Sequence, residues 1–212
     1  MASTLHQTLP DIFPETEAIP ISDFPPNEQP TKNKELLKFN ENTVKDFLMH
    51  GCEWDKERQD PTGWLISEKL DGFRAFWDGS KLFSRNGQIF TAPLDFTSSF
   101  PQDVCLDGEL WVGYHEFSEL SSTIRKSTQE NIDAYPQTFS ELWKDIKFCA
   151  FDAPMHPGTY PERHSFISTL IRTYGENPNI IVIPILPCSG VDHLHTVIAQ
   201  IAQKNGEGVM LY

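Results

Sequence analysis

The chain has 212 residues, of which 39% are hydrophobic and 22% are charged, and its formal net charge is −13. Such a length supports one sizeable core with a short appendage. The acidic balance argues against a protein that coats nucleic acid, although it does not exclude an enzyme with a local basic track. No apolar run approaches the roughly 20 residues that span a bilayer, and no basic start precedes an apolar segment. We therefore expect an intracellular protein of the nucleus or cytoplasm, without membrane attachment.

The first 35 residues are rich in Pro, Glu, Thr and Asn and have no sustained hydrophobic period. This composition predicts a disordered or loosely attached acidic arm, followed by a folded domain over residues 36–212. Short apolar spacing over 36–39 and 44–48 indicates a helical turn or a strand that docks on this domain. The run Asp60-Pro61-Thr62-Gly63 then marks a turn.

From residue 64 onward the sequence consists of short apolar runs separated by tight turns. The Asn86-Gly87 pair predicts a hairpin between two strands, and apolar residues at helical spacing predict several amphipathic helices. Because strands outnumber helices, we expect an α+β fold with antiparallel sheets. Strands are expected over 64–66, 73–77, 81–84, 88–90, 104–111, 146–151, 180–186 and 206–212, and helices over 93–99, 115–126, 138–143, 161–174 and 191–204.

The four cysteines are widely separated and include no Cys-x-x-Cys pair, which argues against a zinc ribbon or a redox motif. Cys105 and Cys149 lie in apolar runs, so we expect them to be reduced core residues.

Four polar motifs lie at the edges or ends of predicted strands, where a rigid scaffold can present side chains to a substrate. Taken alone, a lysine on a strand is usually a surface charge or part of a hairpin turn, and a phenylalanine is more often a core residue. The order of the motifs within one chain is the stronger signal. They are Lys69-x-Asp71-Gly72-x-Arg74, Asp107-Gly108-Glu109, Phe148-x-x-Phe151-Asp152 and Glu207-Gly208-Val209-Met210.

In this order the motifs resemble motifs I, III, IIIa and IV of the covalent nucleotidyltransferases, which comprise ATP-dependent DNA ligases, RNA ligases and mRNA capping enzymes. The flanking runs 60–64, 74–79, 84–87, 106–111 and 151–154, together with Arg163, resemble small bacterial DNA ligases of the ligase E type. The resemblance covers residues 54–212. It implies an α+β nucleotidyltransferase (ATP-grasp-like) adenylation domain, with two antiparallel sheets and flanking helices.

The resemblance implies that Lys69 attacks the α-phosphorus of ATP and carries AMP as a phosphoramidate, since a lysine amine is a covalent nucleophile once it is neutral. AMP would then pass to the 5′-phosphate of nicked double-stranded DNA, and the 3′-hydroxyl would displace it in repair or replication. Asp71 would act as an electrostatic partner near the nick. We expect the protein to be a monomer.

The same resemblance assigns the binding residues. Carboxylates are hard ligands for Mg²⁺ or Mn²⁺, so Glu207 is the expected metal ligand, with Asp71 or Glu109 as contributors. Glu109 is expected to hold the ribose hydroxyls and Phe151 to stack on adenine. The remaining expected contacts are Glu68 and Lys69 to the cofactor, Arg74 to the nucleotide or the nick phosphates, and Arg85 to the DNA.

Two alternatives remain open at this point. An RNA ligase or a capping guanylyltransferase shares the lysine motif, although the flanks at 60–79 and 151–154 favour a DNA ligase. The second alternative is a non-catalytic remnant that binds a nucleotide or DNA.

One departure from the family pattern concerns the C-terminus. The chain ends four residues after Gly208, before the Lys-x-Lys of motif V and the OB-fold domain that the family presents next. We therefore expect a domain truncated after motif IV, either a fragment or a shortened homologue, that adenylates Lys69 weakly or not at all.

Overall fold

The protein is described here by a computed structural model, which covers residues 41–174 and 178–212. The arm expected over residues 1–35 and the apolar spacing at 36–39 lie outside these ranges. The described residues form nine strands and seven helices. The strands are β1 Leu65–Lys69, β2 Phe73–Trp77, β3 Leu82–Ser84, β4 Ile89–Phe90, β5 Leu106–Trp111, β6 Lys147–Asp152, β7 Ile180–Val182, β8 Ile185–Pro187 and β9 Gly208–Leu211. The helices are α1 Glu41–Phe47, α2 Leu94–Thr97, α3 Phe117–Lys126, α4 Gln129–Ala134, α5 Pro136–Trp143, α6 Tyr160–Tyr174 and α7 Val191–Gln203.

The strands form two sheets, one with the order β4-β3-β2-β5-β6-β7 and one with the order β8-β1-β9. This arrangement confirms the predicted α+β fold of two sheets with flanking helices. The expectation of wholly antiparallel sheets is wrong for one pair, because β6 and β7 run parallel. Parallel neighbours need a crossover connection, and α6 lies in that connection.

β1 and β2 belong to different sheets, although only three residues separate them. β1 pairs with β8 and β9, and β2 pairs with β3 and β5. Both edges of each strand are therefore already hydrogen-bonded, and the hairpin considered for this stretch is wrong. Instead, the chain crosses from one sheet to the other directly after Lys69.

Two further elements differ from the sequence expectation. The single strand expected over 180–186 is two strands in different sheets. The change of sheet occurs at Pro184, which has no backbone N–H to donate to a neighbouring strand. Helix α4 was not predicted, because its six residues are too few to show a clear period. Its start is capped by Thr128, whose side chain accepts a hydrogen bond from the backbone N–H of Asn131 at 3.2 Å.

Buried apolar residues cover both faces of the six-stranded sheet. Inward-facing residues of its strands and residues of α2 to α6 form the main core on one face, including Leu106, Leu110, Phe148, Leu120, Trp143 and Ile167. Strand alternation turns Trp111 and Cys149 to the other face, where they pack with Leu70 and Ile183. Cys105 and Cys149 are buried free thiols, as predicted.

Helix α7 covers the outer face of the three-stranded sheet. Its residues Leu194, Val197 and Ile201 recur every three or four positions and pack against Ile66 of β1. None of the described helices combines the length and the apolar character that a bilayer crossing requires.

Candidate active site

Lys69 is the last residue of β1, and the exposed Asp71 follows it on the connection to β2. Gly72 lets this connection lie directly against β5. A Cβ atom at this position would be 2.2 Å from the carbonyl oxygen of Leu110 and 2.9 Å from Cγ of Glu109. Any side chain at this position would therefore push the connection away from β5. The glycine of the first motif thus determines how closely Lys69 approaches the second motif.

The register between β1 and β9 determines which side chains share a face with Lys69. Lys69 lies opposite Gly208, and Ser67 lies opposite Met210. Side chains of directly opposed residues point to the same face of a sheet, and successive residues point to opposite faces. Lys69, Ser67 and Met210 therefore share one face, and Glu68 points to the other.

The side chain of Glu68 points to the opposite face of β1 from Lys69. Its side chain is buried, and its Oε1 accepts a hydrogen bond of 2.8 Å from the hydroxyl of Tyr114. Burial raises the pKa of Glu68, and this hydrogen bond partly opposes that shift. Oε2 is buried and has no hydrogen-bond partner among the described residues. Glu68 therefore connects β1 to the loop after β5, and its contact with the cofactor remains a prediction.

Arg74 forms a two-pronged ion pair with Asp107. Its Nε donates to Oδ1 at 3.1 Å and its Nη2 donates to Oδ2 at 2.6 Å. Asp107 is fully buried, whereas the Arg74 side chain is 19% exposed. The guanidinium carbon of Arg74 also lies 5.6 Å from the ring centre of Phe151. Arg74 thus connects the second motif to the third, a role that sequence reasoning missed.

The carboxyl groups of β5 have strongly raised pKa values. Burial raises the pKa of Glu109 to about 8, although the charges of Arg74 and Lys69 act in the opposite direction. Burial also raises the pKa of Asp107 to about 6, against the opposing hydrogen bond from Arg74. Glu109 is close enough to Lys69 and Glu207 for both charges to influence its pKa. The second motif therefore adjoins the first and the fourth.

Lys69 and Glu207 form an ion pair in which Nζ donates to Oε1. Both side chains are more than two-fifths exposed. They line a cleft of ≈ 100 Å³ together with Asp71, Tyr114, His115 and Asn205. The structure thus brings the predicted nucleophile, the predicted metal ligand and Asp71 into one cleft. Sequence reasoning did not identify Tyr114, His115 or Asn205, which lie outside the four motifs.

The predicted site residues that do not line this cleft are Glu68, Arg74, Glu109, Phe151 and Arg85. Phe151 is half-buried on β6, on the same sheet face as Cys149 and Glu109. Arg85 is exposed in the turn between β3 and β4. The adenine contact of Phe151 and the DNA contact of Arg85 remain predictions.

Asp152 and Arg163 form a second two-pronged ion pair beside the site. Nε of Arg163 donates to Oδ1 of Asp152 at 2.7 Å, and Nη2 donates to Oδ2 at 3.1 Å. Asp152 is buried and lies opposite Asp107 in the β5–β6 ladder. The third motif is thus anchored to helix α6, which explains why an arginine stands at this position of the helix.

The two carboxylates of the cleft, Asp71 and Glu207, suit a metal ion that binds together with the phosphates of a substrate. Within the described ranges, no cluster of three or more His, Cys, Asp or Glu side chains could hold a metal ion. Mg²⁺ is usually bound by one or two carboxylates together with substrate phosphates. Asp71 and Glu207 could supply these two carboxylates, because they line the same cleft.

Comparison with known proteins identifies relatives of this chain. No protein-family model matches it. A DNA ligase of Haemophilus influenzae is 34% identical over 151 residues, which are 70% of this chain and 51% of that protein. The chain therefore spans about half the length of the curated relative that it matches.

Solved structures give a consistent result. A Lig E DNA ligase superposes with a TM-score of 0.64 and 29% sequence identity, over 78% of this chain and 62% of that one. The Chlorella virus DNA ligase–adenylate superposes with a TM-score of 0.57 and 17% identity, over 76% of this chain and 58% of that one, a likeness in fold.

Two sheets joined at a lysine, with carboxylates beside it from β5 and from the start of β9, are the arrangement of a nucleotidyltransferase domain. Within this class the sequence and structural relatives are DNA ligases. Over the matched residues the chain is similar to the adenylation domain of DNA ligases, as the four motifs indicated.

Proposed function

We propose that this domain performs the nucleotidyl-transfer chemistry of an ATP-dependent DNA ligase, with Lys69 as the carrier of AMP. The contact between Lys69 and Glu207, beside Glu109, is the observation that carries the proposal. These residues come from three distant parts of the sequence and meet around one amine. The similarity to DNA ligases, one of which was solved as a ligase–adenylate, supports nucleotidyl transfer as the reaction class.

In the first step, Nζ of Lys69 attacks the α-phosphorus of ATP. A P–N bond forms, the P–O bond to the β-phosphate breaks, and pyrophosphate leaves with the electron pair of that bond. The amine must lose its proton in this process. Glu207 is hydrogen-bonded to the amine and can accept this proton or pass it to water.

A divalent cation is expected to accompany ATP. Mg²⁺ or Mn²⁺ would neutralise charge on the phosphates during the transfer. Asp71 and Glu207 would hold it, because they are the carboxylates that line the cleft.

The nucleoside would bind between the two sheets, on the face of β5 and β6 that carries Glu109 and Phe151. Glu109 would accept hydrogen bonds from the ribose hydroxyls, and Phe151 would stack on adenine. Arg74 would act as a positioning residue, because Asp107 already occupies its guanidinium and its other contact is the ring of Phe151.

The second substrate would be nicked duplex DNA. AMP would pass from Lys69 to the 5′-phosphate, and the adjacent 3′-hydroxyl would displace it to form the phosphodiester, with Asp71 near the nick. Arg85 would contact the DNA backbone, because an exposed guanidinium suits phosphate oxygens. We expect a monomer that acts in DNA repair or replication.

Labelled ATP tests the first step. The full chain is incubated with Mg²⁺ and ATP labelled at either the α- or the γ-phosphate, and label that survives denaturation is measured for wild type and Lys69→Ala. The proposal predicts slow incorporation of α-label alone, and only in wild type. Incorporation of γ-label, or equal α-label in both proteins, would contradict it.

A further inference from the structure

The loop between β5 and α3 is fixed to the strand that carries the nucleophile. The hydroxyl of Tyr114 bonds to Glu68, which directly precedes Lys69, at 2.8 Å. The Tyr114 ring also packs edge-on against Trp111 at the end of β5, with 5.4 Å between ring centres. The next residue, His115, is exposed and lines the same cleft as Lys69 and Glu207. The contacts of the neighbouring Tyr114 therefore fix the position of His115 beside the nucleophile.

His115 has an uncommon backbone conformation. Its φ is 65°, a left-handed value that only a few per cent of non-glycine residues adopt, with histidine among the more frequent of them. Across residues 41–174 and 178–212, its imidazole forms no hydrogen bond or ion pair. Unfavourable backbone conformations of this kind cluster at functional sites. Asn205 lines the same cleft with a φ of 62°, but asparagine tolerates this region well.

The cleft suits one part of a nucleotide. Its volume of ≈ 100 Å³ is below the roughly 300 Å³ of pockets that enclose drug-sized molecules. It can therefore receive a phosphate group beside Lys69, but not the adenosine. Among the described residues that line it, Lys69 and His115 are the two whose side chains can carry a positive charge, opposite the carboxylates of Asp71 and Glu207.

Building on the proposed function, we propose that His115 binds the pyrophosphate portion of ATP and stabilises it as the leaving group. Lys69 must be neutral when it attacks, so its charge cannot serve the departing phosphate at that moment. As the P–O bond breaks, the electron pair moves to an oxygen of pyrophosphate. A ring N–H of His115 donates a hydrogen bond to that oxygen, and such bonds to charged oxygens are the strong ones.

Pyrophosphate binding tests this inference without requiring any covalent step. Inorganic pyrophosphate with Mg²⁺ is titrated into the full chain, and the imidazole proton signals of its 7 histidines are followed by NMR. The His115 signal is identified by its absence in His115→Gly. We expect it to shift with pyrophosphate concentration, and an unchanged His115 signal during saturable binding would overturn the inference.

The variants can be chosen so that misfolding does not explain a loss of affinity. His115→Gly removes the imidazole, and glycine readily adopts the left-handed φ of this position, so the melting temperature should stay close to that of wild type. Pyrophosphate affinity should fall about tenfold, the loss expected for one hydrogen bond to a charged group. Asn205→Gly is the matched control, because it gives the opposite wall the same backbone freedom and removes no imidazole. An equal loss in both variants would assign the effect to the backbone and contradict the proposal.

Two reactions separate this inference from the proposed function. His115→Gly should slow AMP attachment to Lys69, but it should leave transfer of preloaded AMP to a nicked duplex within about twofold of wild type. A defect in the transfer alone, with unchanged pyrophosphate affinity, would place the imidazole at the DNA phosphate and overturn the inference. If Lys69 gains no AMP and the His115 signal still responds to pyrophosphate, the proposed function fails and the phosphate site stands.

Discussion

The guanidinium of Arg74 and the carboxylate of Asp107 form a buried ion pair through two hydrogen bonds of 3.1 and 2.6 Å. The pair joins β2 to β5 and places the Arg74 guanidinium over the ring of Phe151. The adjacent pair of Arg163 and Asp152 fixes β6 to α6 in the same way. The inner surface of the six-stranded sheet is therefore pre-organised by two arginine–aspartate pairs before any nucleotide arrives.

Removing Arg74 should destabilise the fold strongly. Arg74→Ala leaves Asp107 buried without its partner, and breaking a buried pair in this way typically costs about 3–5 kcal/mol of unfolding free energy. Urea unfolding measures the loss. The double variant Arg74→Ala/Asp107→Asn should recover part of it, because no unpaired charge remains. A double variant as unstable as the sum of both single variants would contradict this account of the pair.

The stability of the domain should depend on pH through Glu109. The pKa of its carboxyl is raised from an ordinary 4.5 to about 8 in the folded state. The folded protein then binds more protons than the unfolded chain between these values. Its contribution to stability is present below pH 4.5 and is lost as the pH rises through 8. The slope can reach about 1.4 kcal/mol per pH unit.

Glu109→Gln should remove this slope, since glutamine stays neutral. Unfolding free energies are measured in urea from pH 5 to pH 9 for both proteins. Wild type should lose stability over this interval relative to the variant. Parallel curves for the two proteins would show that Glu109 is ionised throughout and would contradict the predicted pKa.

Much of the secondary structure follows from local sequence chemistry. The Asn86-Gly87 hairpin and the helices around α3, α5, α6 and α7 were predicted, because turn residues and apolar periods act over a few positions. The separation of β1 from β2 was not predicted, since it depends on which distant strands supply hydrogen-bond partners. The division of 180–186 between two sheets has the same cause.

The candidate site was predicted to a similar extent. Motif order identified Lys69, Glu109 and Glu207, which the fold brings together. The different orientation of the Glu68 side chain follows from strand geometry, because adjacent residues of a strand point to opposite faces. The pairing of Arg74 with Asp107 depends on the register between β2 and β5, and the position of His115 depends on a loop conformation. Neither leaves a signal in a single sequence.

Gly72 should not tolerate a side chain. Gly72→Ala would put a methyl group 2.2 Å from the Leu110 carbonyl oxygen, so the connection after Lys69 must move. Overpacking of this kind costs about 1–3 kcal/mol, and AMP attachment should fall at least tenfold. Gly51→Ala is the control, because its nearest contact would be the flexible end of Met210 at 3.3 Å. Equal thermal stability and label in both variants would contradict the role of Gly72.

The hydrogen bond between Glu68 and Tyr114 also gives a test. Glu68→Gln keeps an acceptor for the Tyr114 hydroxyl and removes a buried charge, so stability should be unchanged or slightly higher. Because the side chain points away from Lys69, ATP affinity should stay within about twofold of wild type in equilibrium binding. A tenfold weaker affinity in a fully folded variant would restore Glu68 as a cofactor contact.

The central claim is that Lys69 becomes covalently attached to AMP. The most direct measurement is peptide mass spectrometry of the full chain after incubation with ATP and Mg²⁺, with Lys69→Ala treated in parallel. The account predicts a mass increase of one AMP on the peptide that contains Lys69, located on that side chain by fragmentation. AMP on a different residue, or an equal mass increase in Lys69→Ala, would contradict it.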